Sequence, residues 1–362
     1  MRGIAINGRF LGRSISGVER YGRELIKAWD ARLAAGSSLP RPRIVVPKNV
    51  NCDLELETIR VEVTSSCREG HAWEQIDLMR AARDDVLVSL ANSGPVRHPR
   101  HFVVIHDAAV YRFPENYGFR YRMLHRGLGR LLSRTAQLVT VSKFSRGELR
   151  RFLGVREEDV VLVPNGSEHL ARIVPDESIV ERLGLDGRPF FLTIGAASHN
   201  KNLSLVIKAW SKLETNGARL VMAGAASDRV FSGSSLECGR GVLFPGKVSD
   251  GELAGLFRHA TALIFPSRYE GFGIPPLEAM SNGCPVIAAR IPAVEEVCGS
   301  AVYYCDPDDA DGLAALIEAC LKSGRTAADN GRIMAARFSW ATSAERLAVA
   351  VEAMACGRPA PI

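Results

Sequence analysis

The sequence lacks the cysteine spacings of a zinc site or a disulfide framework. Its eight cysteines are scattered over 362 residues, with no CxxC pair and no Cys/His cluster. Zinc ligands and disulfide scaffolds come in such close, repeated spacings. We therefore expect reduced, mostly buried thiols and no structural metal.

Long apolar segments are also absent. No run approaches the ~18 apolar residues that a transmembrane helix requires, and the N-terminus MRGIAINGRF has neither an extended apolar core nor a cleavage site. A composition of 46% hydrophobic and 24% charged residues is typical of a soluble globular protein. We expect a cytoplasmic protein whose length accommodates two domains.

Charge of one sign is only slightly in excess. The net charge of +6 does not by itself distinguish nucleic acid, a membrane surface and a phosphorylated substrate as partners. Between residues 118 and 151, however, nine Arg or Lys accompany a single acid. Four of them recur at helical spacing and would share one helix face: Arg122, Arg126, Arg130 and Arg134. That face could be solvated, could contact an anionic membrane or could grip a lipid diphosphate. We expect no nucleic acid, because interleaved aromatic residues of an RNA-binding module are missing.

The chain is organised around residues 262–289, ALIFPSRYEGFGIPPLEAMSNGCPVIAA. Ala262 to Phe265 has the length and flanks of a buried parallel strand, and a glycine-containing loop follows. Adjacent prolines then suit the first turn of a helix, and Pro285 to Ala289 resumes as a strand. In an open parallel sheet such a loop lies at the carboxyl ends of the strands, where its amides and the helix dipole favour phosphate.

Two carboxylates in this stretch would not help to bind phosphate. Glu270 lies in the loop and Glu278 in the first helical turns. An ionised carboxylate is an acceptor only, so it suits the paired hydroxyl donors of a sugar. Hydrogen-bond donors for phosphate beside hydrogen-bond acceptors for hydroxyl groups are what a nucleotide-sugar site needs. Each acid alone is also compatible with a plainer role, as complement to a helix N-terminus or as a solvated loop residue.

The string EGFGIPPLEAMSNGCPVIAA resembles the C-terminal signature of the family 4 retaining glycosyltransferases of the GT-B fold. The resemblance implies that Glu270 contacts donor-sugar hydroxyls and Glu278 the ribose hydroxyls. It also implies that the loop backbone contacts the sugar and diphosphate through Gly271, Phe272 and Gly273. The nucleotide base would lie near Val248. The fold generally needs no divalent metal, and we expect no cofactor other than the nucleoside-diphosphate sugar itself.

Lys201 is the predicted diphosphate ligand. It stands where a helix begins after the strand Phe190 to Ile194, so its ammonium and the helix amides can converge on one diphosphate. A solvated lysine at a helix start is the alternative. Family members commonly place a basic pair here, whereas this sequence has Ala196, His199 and Asn200 where an arginine would stand. His199 could substitute only if protonated.

The first half offers a glycine loop after the strand Ile4 to Asn7, with a helix beginning near Gly17. The resemblance implies that Gly17 faces the donor diphosphate, although an ordinary turn glycine would look the same. Glu19 and Arg20 follow directly and are candidates for the acceptor side.

His106 ends the predicted strand Phe102 to Ile105. A histidine at the carboxyl end of a parallel strand stands where ligands bind, and it can donate to a sugar hydroxyl or to the leaving phosphate. The resemblance implies that it abuts the donor sugar. A core histidine bonded to a backbone carbonyl is the alternative.

The acids of CDPDDADG, including Asp306 and Asp308, suggest a metal site at first sight. They follow a strand and precede the predicted helix Leu313 to Leu321. Helix capping explains them better.

These patterns predict an α/β protein of GT-B architecture, in which two Rossmann-like domains face each other across a cleft. We expect an acceptor-binding domain over 1–170 and a donor-binding domain over 171–340. A C-terminal helix, 341–362, should cross back to the N-terminal domain.

The resemblance implies transfer of a hexosyl group, with retention, from a nucleoside-diphosphate sugar to an acceptor hydroxyl. Similar proteins that share the strings GVERYGREL and IHD often add mannose during surface polysaccharide assembly, such as exopolysaccharide or lipopolysaccharide. We therefore expect GDP-mannose as donor and a lipid-linked acceptor at the inner face of the membrane. The candidate catalytic residues are His106, Lys201 and Glu270. A nucleotide-sugar epimerase of the same fold and a binding subunit without turnover remain alternatives.

Overall fold

The computed structural model describes residues 2–196, 198–224, 241–324 and 329–359. The chain divides into two compact units. Unit 1 contains Met1–Gly166 and Ser339–Ile362, and unit 2 contains Ser167–Phe338. Cys238 and the last three residues of the predicted C-terminal helix lie outside the described residues.

Unit 1 is built on a seven-stranded parallel sheet in the order β3-β2-β1-β4-β5-β6-β7. Its strands are β1 Ile4–Asn7, β2 Arg43–Val46, β3 Arg60–Val63, β4 Val86–Ser89, β5 His101–Val104, β6 Gln137–Thr140 and β7 Val161–Leu162. In the central strand, Ile6 pairs with Ile44 of β2 and with Val88 of β4. The central strands are apolar throughout because helices cover both faces of such a sheet, whereas all four residues of the edge strand β3 are exposed.

The helices of unit 1 alternate with these strands. They are α1 Gly17–Ala34, α2 Gly70–Trp73, α3 Met79–Ala81, α4 Ala109–Arg112, α5 Phe119–Thr135 and α6 Lys143–Leu153. Short 3₁₀ turns cover Gly8–Gly12, Pro114–Asn116 and Glu157–Asp159. A π-helical segment, Glu74–Leu78, joins α2 to α3. Ser142 caps α6, since its side chain accepts from the Ser145 N–H at 2.9 Å.

Unit 2 has a six-stranded parallel sheet in the order β10-β9-β8-β11-β12-β13. Its strands are β8 Phe190–Ile194, β9 Arg219–Ala223, β10 Val242–Gly246, β11 Ala262–Phe265, β12 Val286–Ala289 and β13 Tyr303–Cys305. The core on one face of the sheet includes the edge-to-face pair Phe191 and Trp210, with ring centroids 6.1 Å apart. Strand β11, which opens the organising stretch, lies between β8 and β12 in the middle of the sheet.

The helices of unit 2 begin with two short ones and continue in alternation with the strands. They are α7 Glu168–Ala171, α8 Ser178–Arg182, α9 Leu203–Trp210, α10 Asp250–His259, α11 Ile274–Ser281, α12 Pro292–Cys298, α13 Ala310–Ser323 and α14 Asp329–Ala335. Among the acids after β13, the Asp309 side chain accepts from the N–H groups of Asp311 and Gly312 in α13. Asp309 therefore caps the helix, whereas Asp306 accepts from the Asp308 N–H and Asp308 pairs with Arg268.

The last helix, α15 Trp340–Ala355, belongs to unit 1 and packs against α1. Trp340 is 2% exposed and its ring meets that of Tyr21 edge-on at 5.8 Å. Arg32 of α1 pairs with Glu345 of α15 at 3.0 Å. The predicted return of the C-terminal helix to the N-terminal unit is confirmed.

Candidate functional site

The carboxyl edge of the unit 2 sheet is held together by Asn202. This residue adopts a left-handed conformation (φ 54°) between the 3₁₀ turn His199–Lys201 and α9. Its side-chain amide donates to the carbonyl of Pro266, after β11, at 3.1 Å and to that of Pro307, after β13, at 2.8 Å. Three loops that follow different strands are thereby fixed to one another, and Asn tolerates this backbone conformation better than most residues.

Lys201 and Glu270 lie side by side at this edge. The Lys201 Nζ is 2.7 Å from the Glu270 Oε1 and 5.6 Å from the centroid of the Phe265 ring. The lysine side chain is 26% exposed and the glutamate side chain 14% exposed, so both are reachable from solvent. A side chain that can donate hydrogen bonds to phosphate is thus adjacent to one that can accept them from hydroxyl groups. A ligand whose phosphate and sugar are directly bonded would require this arrangement.

The glycine loop leads directly into α11. Gly273 is its N-cap with φ of 101°, a conformation that glycine adopts without a Cβ penalty, and Pro275 follows in the first turn. Gly271 and Phe272 are buried, and the Phe272 ring packs edge-on against Phe338 at 5.4 Å. Pro275 and Pro276 have no N–H, and the Leu277 N–H donates to the Gly273 carbonyl. Ile274 is therefore the one residue of the first three in α11 that has a backbone N–H, at the end of the loop that carries Glu270.

Glu278 is held by a hydrogen-bond partner, His169, that was not among the predicted site residues. The His169 Nε2 lies 2.8 Å from the Glu278 Oε1, and the residues are 6% and 5% exposed. His169 stands in the short helix α7, 109 positions earlier in the chain. No local pattern marks it, because only the packing of α7 against α11 brings the two side chains together.

The second basic diphosphate ligand, which family members place beside the lysine, has His199 as its candidate substitute in this turn. His199 is exposed, and Ala197 lies outside the described residues. Arg268 is attached to this turn by its backbone, since its N–H donates to the Asn200 carbonyl at 2.8 Å, but its guanidinium pairs with Asp308. Val248 is half-buried just after β10, two strands away from β8 in the sheet.

His106 lies at the carboxyl end of β5 in unit 1 and is 7% exposed. Its Nε2 is 2.9 Å from the Leu90 carbonyl, its backbone N–H donates to the Asn92 side chain, and its ring meets Tyr21 edge-on at 4.8 Å. Because a carbonyl only accepts, Nε2 carries the proton. Burial lowers the pKa of His106 to about 4. The ring is therefore neutral at pH 7, and its Nδ1 can accept a hydrogen bond but not donate one.

The residues at the start of α1 have local roles in the fold. Ser16 and Glu19 form a capping box in which the Glu19 carboxylate accepts from the Ser16 N–H at 3.3 Å. Glu19 is 6% exposed and lies 3.6 Å from the Arg13 guanidinium. Gly17 is the exposed first residue of the helix and Arg20 is half-buried. Their predicted contacts with donor or acceptor remain predictions.

The basic helix proves to be α5, and its arginines differ in surroundings. Arg130 and Arg134 are exposed, whereas the guanidinium of Arg122 lies over the Phe119 ring and that of Arg126 over the Tyr111 ring. Leu128 and Leu132 pack into the core of unit 1. Four large apolar side chains are instead exposed on the same helix: Phe119, Met123, Leu124 and Leu131, at 67%, 58%, 44% and 49%.

Neither a metal site nor a membrane span is found in the part of the chain that the structure describes. Over those residues no three His, Cys, Asp or Glu side chains are grouped to hold an ion. No helix within them is both long and apolar enough to cross a bilayer.

Comparison with known proteins gives this geometry a family. A model of glycosyltransferase family 4 matches residues 15–168, and a model of the group 1 glycosyl transferases matches residues 176–336. The O-antigen chain mannosyltransferase B of Escherichia coli is 29% identical over 261 residues, which are 68% of each chain.

Two solved structures share the fold over nearly the whole chain. The sucrose-phosphate synthase of Thermosynechococcus elongatus superposes with a TM-score of 0.74 at 18% identity, covering 99% of this chain and 100% of that one. Anabaena HepE, solved in complex with UDP and glucose, gives 0.71 at 20% identity, covering 96% and 98%.

The two parallel-sheet units and these neighbours define the GT-B class of glycosyltransferase fold. Within that class, the chain belongs to the family 4 glycosyltransferases with a group 1 glycosyl transferase region, a family of retaining hexosyltransferases.

Proposed function

We propose that unit 2 binds a nucleoside-diphosphate sugar and that unit 1 binds the acceptor whose hydroxyl receives the hexosyl group. The observation that carries the proposal is the 2.7 Å contact between Lys201 and Glu270. In a nucleotide-sugar the sugar is bonded directly to a phosphate, so groups that recognise hydroxyl and phosphate must be neighbours. We assign the ribose hydroxyls to Glu278; its buried contact with His169, which holds the carboxylate in one orientation, supports this assignment.

Charge development explains how these groups would accelerate transfer. Cleavage of the bond between the sugar C1 and the phosphate oxygen places negative charge on the diphosphate. Fixed donors aimed at that charge stabilise the transition state more than the ground state. The proposed donors are Lys201, the backbone amides that follow Gly271 up to Ile274, and Gly17 in unit 1. We infer a front-face attack in which the leaving phosphate takes the proton of the acceptor hydroxyl.

His106 has a limited role in this mechanism. With Nε2 donating to the Leu90 carbonyl, the ring offers a hydroxyl group an acceptor at Nδ1. We propose that it orients a donor-sugar hydroxyl and does not protonate the leaving group. Burial, which lowers its pKa, keeps that acceptor available across the neutral pH range.

Mannose is the first candidate for the transferred sugar. The E. coli relative is named a mannosyltransferase of O-antigen chains, which supports GDP-mannose and a carbohydrate acceptor of a cell-surface polysaccharide. HepE was solved with UDP and glucose, so UDP-glucose is the natural competitor in any test. The acceptor proposed here is lipid-linked.

The outer face of α5 supports a peripheral contact with an anionic membrane. It combines exposed arginines with four exposed apolar side chains, and each basic residue near an anionic surface contributes roughly 1 kcal/mol. On a face that contacts water alone, large apolar side chains such as Phe119 and Met123 would gain nothing from their exposure. We propose that the protein works at the cytoplasmic face of the membrane, where a lipid-linked acceptor is held.

The test is a panel of GDP-mannose and UDP-glucose, each with and without a lipid-linked acceptor, read out as products and released nucleoside diphosphate. We expect transfer that requires the acceptor. Lys201→Ala should lower kcat on the order of 100-fold, and Glu278→Ala should raise the donor KM about tenfold or more.

Lys212→Ala is the matched control, since this exposed lysine pairs with Asp311 on the surface of unit 2. An isomerised or free sugar formed without acceptor would indicate an epimerase. Donor binding without turnover would indicate a binding subunit. Normal turnover by both site variants would refute the assignment of the site.

A further inference from the structure

A second polar network lies at the carboxyl edge of the unit 1 sheet, centred on Glu74. This carboxylate is 1% exposed and its Oε1 accepts from Asn7 Nδ2, Ser93 Oγ and Arg9 Nε, each at 2.9 Å. The His71 Nδ1 lies 3.0 Å from Oε2. Asn7 ends β1 and Ser93 follows β4, so the network occupies the centre of the ligand-binding edge.

The acceptors of this network each have a partner, while two donor atoms do not. The Asn7 carbonyl oxygen already accepts from the Arg9 backbone N–H, and the Ser93 hydroxyl accepts from Arg9 Nη2 at 2.7 Å. In contrast, Arg9 Nη1 and His71 Nε2 have no partner among the described residues. A ligand that enters here must therefore bring acceptors, which is the property of an anion.

Further basic groups surround the same place. Arg9 and Arg13 line a surface cleft together with Glu74 and Ser93; the cleft is too narrow to hold a water molecule, so a ligand would lie across its mouth. The His71 ring lies 5.5 Å from that of His125 on α5. Burial, then the positive charges of His71, Arg13 and Arg9, lowers the pKa of His125 to about 4, and Glu74 opposes the shift only in part. Positive charge therefore outweighs negative charge at His125, although Arg9 and His71 each pair with Glu74 and Arg13 lies 3.6 Å from Glu19.

An aromatic wall adjoins the basic groups. The Tyr121 ring stacks on His125 with centroids 4.0 Å apart, and Tyr117 stacks on Tyr121 at 5.4 Å. Tyr121 is 49% exposed. The apolar face of a sugar ring packs well against such a surface, while the phenol hydroxyls remain available for polar contacts.

We propose that this cleft binds a sugar phosphate group of the acceptor, with Arg9, Arg13, His71 and His125 on the phosphate or diphosphate and Tyr121 against the sugar. The proposal rests on the proposed function, which assigns the acceptor to unit 1. The same chemistry is found in a lipid-linked sugar diphosphate and in a soluble sugar phosphate. Glu74 holds Arg9 and His71 in position and makes no contact with the ligand.

Binding is measured first with inorganic pyrophosphate and the full-length protein. A saturating nucleoside diphosphate occupies the donor site, and calorimetry then reports the remaining sites. We expect one further site whose affinity falls about tenfold or more in Arg13→Gln and in His125→Gln, since each removes a charge-assisted hydrogen bond. Arg41→Gln is the control, because Arg41 is exposed immediately before β2, at the opposite edge of the same sheet.

Histidine titration gives a second readout that a merely structural cluster would not move. The groups facing His125 are His71, Arg13, Arg9, Glu74 and Tyr121. A bound anion stabilises the imidazolium, so the pKa of His125 should rise from about 4 toward its ordinary value of ~6.5. NMR of histidine-labelled protein with and without pyrophosphate records this shift, and His125→Gln assigns the signal. An unchanged titration, or no binding at millimolar pyrophosphate, would overturn the proposal.

Acceptor kinetics distinguish the two sources and separate this inference from the proposed function. Glucose 1-phosphate represents the soluble source and a short-chain prenyl diphosphate sugar the lipid-linked one; the source whose KM rises in Arg13→Gln is the ligand. Transfer with an unchanged acceptor KM would refute this inference alone. A pyrophosphate site without any transfer activity would refute the proposed function and leave the anion site standing.

Discussion

At the scale of single residues, the ribose-binding role proposed for Glu278 depends on His169. The two side chains are buried and 2.8 Å apart, and a hydrogen bond to a charged group contributes about 1.5–3 kcal/mol. His169→Ala should therefore loosen the carboxylate and raise the donor KM about tenfold, with the acceptor KM unchanged. Steady-state kinetics with each substrate varied in turn measures the split.

The conservative variant separates positioning from packing. His169→Gln restores an N–H donor at a similar reach, so we expect it to recover most of the donor KM. His259→Ala serves as control, since this exposed histidine faces Glu177 on the surface of unit 2. If His169→Ala loses stability but keeps the donor KM of the wild type, His169 only fills space.

His106 predicts a pH dependence of stability. The unfolded imidazole takes up a proton near pH 6.5, whereas burial holds the folded one neutral until about pH 4. Between these values the unfolded state binds more protons, so stability falls as the pH falls through this window. His106→Gln keeps a donor for the Leu90 carbonyl and removes the titration. From pH 7 to pH 5 it should lose about 2 kcal/mol less free energy of unfolding than the wild type.

Urea unfolding at the two pH values measures this difference. His101, whose pKa burial lowers to about 3, contributes equally to wild type and variant and cancels in the comparison. Parallel pH profiles of the two proteins would show that His106 is not held neutral by the fold.

The sequence predicted single site residues only where a local string carried them. Glu270 and Lys201 were selected from a glycine loop and a helix start, and their 2.7 Å contact follows once β8 and β11 are neighbours. His169 and the Glu74 network were not found. Each partner of Glu74 comes from a different element, and no spacing along the chain relates Asn7, Glu74 and Ser93.

At the scale of elements, α5 exposes apolar and basic side chains that do not pack into the core of unit 1. Leu128 and Leu132 account for its packing, and Met123 and Arg130 do not take part in it. We expect the protein to sediment with anionic vesicles and not with zwitterionic ones, with binding that weakens as salt is raised. Arg130→Gln with Arg134→Gln should lower the partition coefficient by roughly tenfold or more, at ~1 kcal/mol for each charge.

Met123→Ser tests the apolar half of the same surface. It should weaken binding at every salt concentration, because burial of an apolar side chain is not screened. Arg41→Gln again serves as the control that removes one positive charge away from α5. Equal binding of wild type and the double arginine variant would leave α5 as a solvated face.

Strands were the elements best predicted from the sequence. Short apolar runs between turn residues predicted β1, β8 and β11 with the bounds observed, because both faces of a parallel strand are buried. The helical segment from α2 to α3 is not regular, because it contains the π-helical turn Glu74–Leu78. Periodicity could not reveal it, since the extra residue per turn accompanies the contacts of Glu74 with β1 and the loop after β4.

At the scale of the whole molecule, the chain leaves unit 1 at Gly166 and re-enters it at Ser339. The last helix is therefore part of the core of unit 1. Trp340 is a large buried side chain in that core, as Trp210 is in the core of unit 2. Both are 2% exposed; Trp340 contacts Tyr21, and Trp210 contacts Phe191. The return could be predicted from family resemblance, whereas the apolar pattern of α15 alone indicates only that some core receives it.

These two equally buried tryptophans give a matched pair of variants. Trp340→Ala should destabilise unit 1 by about 3–5 kcal/mol, and Trp210→Ala should destabilise unit 2 by a similar amount. Hydrogen exchange with mass spectrometry resolves the units by peptide: the first variant should speed exchange in β1 and β4, the second in β8 and β11. A nucleoside diphosphate at a hundred times its Kd stabilises its site by about 2.7 kcal/mol. It should offset much of the loss in Trp210→Ala, and it should leave the exchange of unit 1 in Trp340→Ala unchanged. Nucleotide protection of β1 equal to that of β8 would contradict the assignment of the donor to unit 2.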